Sequence, residues 1–216
     1  MAIISAKLIS WNKIEIVSSS DEIEKFDLFI DLESVFYNFV DSKTIVFSYE
    51  KEVLGHLFSI RTSEDACYVD VTDAVNFEDF DEKYSYLEDD LGPNYYKDFT
   101  KFVLWAPLAS KVELRIFDKL IEMNRGEKGT YYLNLDGDYD GALYDYIVYI
   151  NGEKIVTCDP YAKSSNLNSE KSAVIDLNKV KRDMFNENLP PFNEYVEAII
   201  YETSVRDISS SDSPEL

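Results

Sequence analysis

Residues 102–107 read Phe-Val-Leu-Trp-Ala-Pro, and residues 110–114 read Ser-Lys-Val-Glu-Leu. An apolar strand runs into Trp105 and stops at Ala106-Pro107. A short polar turn follows, and a second, alternating strand runs from Val112 to Phe117. Proline has no N–H to give to a ladder, so Pro107 marks the end of the first strand and not its middle. Taken by itself, this is one hairpin of an all-β domain. Sixteen Tyr and 13 Phe against 7 Gly and 6 Pro favour strands along the rest of the chain without low complexity.

Ahead of this hairpin, strands are expected at residues 3–9, 13–17, 26–30, 44–49, 57–61 and 67–71. Each run is rich in β-branched or aromatic residues, and Ser, Asp, Asn or Gly clusters separate them. Residues 31–40 read equally as a helical turn or a strand. No 3.6-residue period is sustained, so residues 1–76 read as a small β-sandwich. Residues 72–90 are acidic with interleaved aromatics, and the connector proper is placed at 77–88, with Phe77, Phe80, Tyr84 and Tyr86 pinning it to a surface. Beyond Leu91, strands are expected at 101–105, 111–117, 120–124, 130–135, 142–151 and 153–157. Asn151-Gly152, between two apolar runs, is the strongest hairpin-turn signal. A short helix is expected near 180–185, then an apolar strand over 197–205.

Four motifs, in order, resemble those of one known family. The Trp-Ala-Pro hairpin resembles the F-x-V-W-A-P-x-A-x-x-V-x-L signature of the β-sandwich module ahead of the barrel in α-glucan debranching enzymes. It is preceded by Phe80-Asp81-Glu82-Lys83-Tyr84, Leu91-Gly92 and Tyr95. It is followed by Gly141-x-x-Tyr144-x-Tyr146, then Asp159-Pro160-Tyr161-Ala162-Lys163, then Tyr201-Glu202-x-x-Val205-Arg206-Asp207. Over residues 78–209 the order resembles the N-terminal part of the type I pullulanase family, from a family-48 carbohydrate-binding module to the first barrel strand of glycoside hydrolase family 13. The departure is Ile208, where that family usually has Phe.

The resemblance implies an all-β chain: two immunoglobulin-like β-sandwich domains in tandem, then the truncated first strand of a (β/α)8 barrel. The implied domains are an accessory β domain at 1–76, a connector at 77–88, the module at 89–188 and the barrel start at 189–216. The implied function is the non-catalytic N-terminal part of a debranching enzyme that hydrolyses α-1,6-glucosidic linkages in pullulan, glycogen or limit dextrins. The region would bind glucan or buttress its own C-terminal catalytic barrel. A purely structural module without sugar binding, or the N-terminal part of another debranching or branching enzyme, remain the alternatives. On the same resemblance Glu202, Arg206 and Asp207 brace the barrel, and the catalytic carboxylates of a retaining mechanism lie beyond Leu216, so no catalytic residue is assigned.

Composition narrows the function classes. Forty-two acidic against 21 basic side chains give a formal charge of −21, a field that repels phosphate backbones and anionic lipids. About two thirds of that excess lies before Leu91. Nucleic acid and membrane are therefore not expected as partners. A single histidine, His56, excludes a histidine triad or a multi-histidine metal site. Asp136-Gly137-Asp138-Tyr139-Asp140-Gly141 has the first half of a calcium loop but Ile147 where a bidentate Glu is needed, so it reads as an acidic turn. No metal and no cofactor is expected. Cys67 and Cys158 have no metal or redox spacing and read as free thiols. The N-terminus lacks a basic region followed by a long apolar core, and the cytoplasm is the expected compartment.

Sugar rings pack their C–H faces on aromatic side chains. Trp105, Tyr144 and Tyr146 lie in alternating apolar strands and are expected in the core. Tyr95, Tyr96, Tyr131, Tyr132 and Tyr139 fall in or beside predicted turns and are the carbohydrate-binding candidates.

Overall fold

A computed structural model describes residues 3–19, 29–30, 33–34, 38–49, 52–61, 66–180, 196, 198–202 and 204. Its contacts divide the chain into a unit of residues 1–179 and a unit of residues 180–216. The helix expected near 180–185 lies outside the described residues beyond Val180.

In the first unit, alternation sets which side of each strand is buried. Strands β1 (Ile3–Ser10) and β2 (Lys13–Ser18) form a hairpin in which Leu8 lies opposite Ile14 and Ala6 opposite Ile16, all four buried. Short strands β3 (Phe29–Ile30), β4 (Glu33–Ser34) and β5 (Asn38–Phe39) follow, then β6 (Thr44–Ser48), β7 (Ser59–Arg61) and β8 (Ala66–Asp70). The sheet order is β4-β3-β7-β8-β1-β2-β6-β5, antiparallel throughout except for a parallel contact of Ala6 with Val69. Ile45, Phe47, Ile60 and Val69 join the hairpin residues in one core.

The segment expected to be a surface-pinned connector is instead part of that core. A 3₁₀ turn at Thr72–Asn76 leads into helix α1 (Phe80–Tyr84). Phe80 and Tyr84, four residues apart and therefore on one helix face, are buried against Trp11, whose ring stacks on Phe80 and meets Phe77 edge-on. The Trp11 Nε1–H donates to the Glu78 carbonyl at 2.9 Å. Phe77 and Tyr86 are half-buried.

The module builds two sheets. One has the order β13-β14-β10-β9, from β9 (Gly92–Tyr96), β10 (Phe99–Trp105), β13 (Asn124–Arg125) and β14 (Thr130–Asp136). The other has the order β12-β11-β15-β16, from β11 (Lys111–Ile116), β12 (Lys119–Glu122), β15 (Leu143–Ile150) and β16 (Glu153–Thr157), with β17 (Ser172–Ala173) also paired to β15. Strand β9, which contains Pro93, lies outside the strands expected from the sequence. It lies at the sheet edge, where a missing N–H is tolerated. Asn151 and Gly152 both have positive φ, 53° and 79°, as a type I′ hairpin turn requires.

Between the sheets, Phe102, Leu114, Tyr144 and Tyr146 are essentially fully buried. The two tyrosine hydroxyls donate to one carboxylate oxygen of buried Asp159, at 2.7 and 3.3 Å, and its other oxygen accepts the Tyr161 N–H at 2.8 Å. Burial pushes the Asp159 carboxyl above its ordinary range. The Gly-x-x-Tyr-x-Tyr and Asp-Pro-Tyr-Ala motifs are thus two halves of one polar lock in an apolar core.

Trp105, expected in the module's own core, is half-buried and packs against the core of the first domain. Its Nε1–H is shared between the carbonyls of Tyr84, at 2.8 Å, and Lys128, at 3.0 Å. Gly129 (φ +73°) passes so close to Pro107 that a Cβ would lie 2.5 Å from it. Arg125 donates to the carbonyls of Ala109 and Pro107 and lies flat on Gly55, where a Cβ would meet the guanidinium carbon at 2.3 Å. Asn151 closes the junction: its side chain accepts the Val71 N–H and donates to Asp70.

In the second unit the strand expected over 197–205 is not formed at the described positions 198–202 and 204. Ile199, Ile200 and Tyr201 are almost fully exposed.

Two outcomes are expected in urea unfolding. Asp159→Ala leaves two buried hydroxyls unpaired and should cost about 3–5 kcal/mol, the range for stripping a buried charged partner. Because the folded protein holds the Asp159 proton more readily than the unfolded chain, this group's contribution is full below the unfolded value of about 3.9 and declines as pH rises towards its raised folded value. The midpoint gap between wild type and Asp159→Asn should therefore shrink as pH rises through that interval, and a pH-independent gap would refute the assignment. Separately, Trp105→Phe keeps most of the packing but removes the shared donor, and should cost about 1–3 kcal/mol. An unchanged midpoint would show that the indole N–H is not holding the junction.

Candidate functional site

One end of the module is given to the first domain, through Trp105, Arg125 and Asn151. The strand directions place the hairpin between β9 and β10, the turn between β11 and β12, and the loop before β15 at the other end. Three of the expected tyrosines gather there. Tyr96 is exposed and stacks on Phe99 with ring centroids 4.5 Å apart and planes at 19°. Tyr139 lies beside Phe117 at 6.0 Å and 26°. Tyr95 is half-buried, and its hydroxyl donates to Asp138 Oδ1 at 2.9 Å, which pushes that hydroxyl up to about 12.

Phe99 and Phe117 are not among the sequence candidates: Phe117 closes the strand expected at 111–117, and Phe99 lies just ahead of the one expected at 101–105. Phe117 and Asp118 are the two central residues of the β11–β12 hairpin, with φ of 49° and 60°. A bulky residue in the left-handed region is uncommon and strained, and such positions recur at binding sites. Here it holds a phenyl ring 65 % exposed at the tip of the module. The exact two-residue spacing between 111–116 and 119–122 was the available signal, masked by the absence of Gly or Asn at the first turn position.

The acidic loop at 136–141 behaves as a turn. The Asp138 carboxylate accepts the Asp140 N–H at 3.1 Å, and Asp140 accepts the Asp176 N–H at 2.7 Å and pairs with Lys179, which holds its carboxyl below the usual range. Among the described residues no group of three or more potential ligands is arranged for a metal ion. His56 is exposed in a turn, and Cys67 and Cys158 are free thiols. No helix among the described residues is long and apolar enough to cross a membrane.

The remaining two candidates sit elsewhere. Tyr131 is 2 % exposed, and its hydroxyl donates to the Ala109 carbonyl at 2.7 Å and accepts from Arg125. It belongs to the module's core, because its position in β14 points it between the sheets. Its neighbour Tyr132 points the opposite way, is 40 % exposed, and lines a cleft beside α1.

Residues 90–162 match the model of carbohydrate-binding module 48 (isoamylase N-terminal domain). Over 135 residues the chain is 35 % identical to a pullulanase of Bacillus subtilis, a match that covers 60 % of this chain and 18 % of that protein. Among solved structures, the pullulanase of Anoxybacillus sp. LM18-11 complexed with maltotriose aligns with a TM-score of 0.76 at 25 % identity, over 94 % of this chain and 31 % of that one. Type I pullulanase of Bacillus subtilis complexed with maltose aligns with a TM-score of 0.71 at 26 % identity, again over 94 % and 31 %. The chain therefore spans less than a third of the length of each of these relatives. Residues 90–162 thus match carbohydrate-binding module 48, and the β-sandwich chain that carries them fits the N-terminal region of type I pullulanases.

Proposed function

We propose that this chain is the glucan-handling, non-catalytic N-terminal region of a debranching enzyme of the pullulanase type, acting on α-1,6 linkages in pullulan, glycogen or limit dextrins. The observation that carries the reading is the pair of aromatic platforms, Tyr96 on Phe99 and Phe117 beside Tyr139, at the end of the module that the first domain leaves open. Stacked rings offer flat apolar faces to the C–H side of a pyranose. The hydroxyl-rich edge then meets Asp138, Tyr95 and water. A neutral ligand is indifferent to the acidity of the chain.

A second reading, in which the region buttresses a catalytic barrel and binds sugar weakly or not at all, is favoured by Ile199, Ile200 and Tyr201. Three consecutive apolar side chains at least 84 % exposed call for a neighbour.

Affinity electrophoresis in native gels containing pullulan, glycogen or no polysaccharide separates the two. Retardation by α-glucan is expected, and Tyr96→Ala with Phe117→Ala should relieve it several-fold, since stacked rings of this kind contribute about 0.5–1.5 kcal/mol each. A wild-type chain that migrates identically in all three gels would discard the binding reading and leave the buttress.

A further inference from the structure

A cleft of about 1180 Å³ separates α1 and the segment after it from the outer face of the β13-β14-β10-β9 sheet. Its sheet wall is made of two cross-strand pairs, Val103 with Tyr132 and Lys101 with Asn134. Its facing wall carries Tyr86. The Asp90 carboxylate ties the walls together, accepting the Tyr86 hydroxyl on one oxygen and the Lys101 ammonium on the other, each at 2.6 Å. The cleft is therefore held open before any ligand arrives.

The Tyr132 ring is pre-positioned as well. It lies against the backbone of Gly126, where an added Cβ would come within 3.3 Å of the ring and 2.7 Å of the Thr130 hydroxyl. One edge of the ring packs on Gly126, and the residue, 40 % exposed, lines the cleft. Next to it, the exposed Asn134 amide has no hydrogen-bond partner among the described residues. With Asp90, the charged side chains of the walls are five carboxylates and three cations, an excess that disfavours an anion. An aromatic face and a free amide beside it suit an uncharged polyhydroxylated ligand. The volume exceeds the roughly 300–1,000 Å³ usual for one small ligand, which fits a chain of sugars rather than a single one.

We propose that this cleft is a second carbohydrate site, distinct from the aromatic end, which takes a linear segment of α-glucan with one pyranose on Tyr132 and its hydroxyls on Asn134 and Lys101. The proposal rests on the glucan-handling reading above and adds a place and a set of contacts to it.

The test is a titration of the isotope-labelled full chain with maltotetraose, followed by amide chemical shifts. Saturable shifts at Lys101, Tyr132 and Asn134 are expected. Tyr132→Ala and, independently, Asn134→Ala should weaken binding at those amides tenfold or more without moving shifts at Tyr96 and Phe117. Gly126→Ala should weaken it too, by lifting the ring from its seat. Shifts confined to the Tyr96 and Phe117 end would overturn the cleft and leave the glucan-handling reading intact. Shifts nowhere, together with no retardation in pullulan gels, would overturn both. Cleft shifts that follow protein concentration and not sugar would assign the cleft to a second copy of the chain and overturn the proposal.

Discussion

The indole N–H of Trp105 is the point on which the arrangement turns. One donor serves two carbonyls that would otherwise be orphaned: Tyr84, at the C-terminal end of α1, and Lys128, in the turn before β14. A helix end has carbonyls without intrahelical partners, and a buried one must find a donor elsewhere. By supplying it from the strand end of the module, the chain makes termination of the connector helix and docking of the two domains a single event. Pro107 and Gly129 complete the constraint, since the backbone at Gly129 comes as close to the proline as glycine alone permits. The Trp-Ala-Pro signature is therefore a junction, with a mechanical role independent of sugar binding.

Much of this was legible in the residues. The alternation in residues 3–17 and 44–48 set both strands and burial, and Asn151-Gly152 announced its hairpin without ambiguity. What escaped reading depended on tertiary neighbours. Pro93 hid β9, because an edge position is a property of the sheet and not of the tripeptide around it. Phe80 and Tyr84 looked like pins on an acidic linker. They became core once Trp11, some 70 residues earlier, lay across them. Trp105 has the alternation of a module-core residue, and only the presence of the first domain draws it outward.

The tyrosine candidates show the same limit at finer scale. Tyr131 and Tyr132 are consecutive, equally near a turn, and indistinguishable by composition. The pleat sends one between the sheets and the other into the cleft. Choosing between them needs the register of β14 against β10, in which Val103 meets Tyr132 and Leu104 meets Tyr131. The exposed, turn-tip position of Phe117 is hidden for a different reason. A strained aromatic in a two-residue turn goes against local preference, and positions where local rules are broken are where binding sites are found.

The two proposed contact regions, held on one sheet, would have a consequence that a single region lacks. A short oligosaccharide reaches only one of them, whereas a polymer that occupies the cleft presents its next segments to the aromatic end as an intramolecular event. The gain is set by effective concentration and not by any new contact, and it grows to several orders of magnitude only when the spacing is fixed. The spacing here is fixed by the sheet: β10 and β14 run from the Tyr96–Phe99 end to the Tyr132 cleft without a break, and the Asp90 bridge stops the cleft wall from drifting. If both proposed regions bind glucan, a region built in this way would discriminate long glucan from short by geometry, even where each ring contributes little on its own.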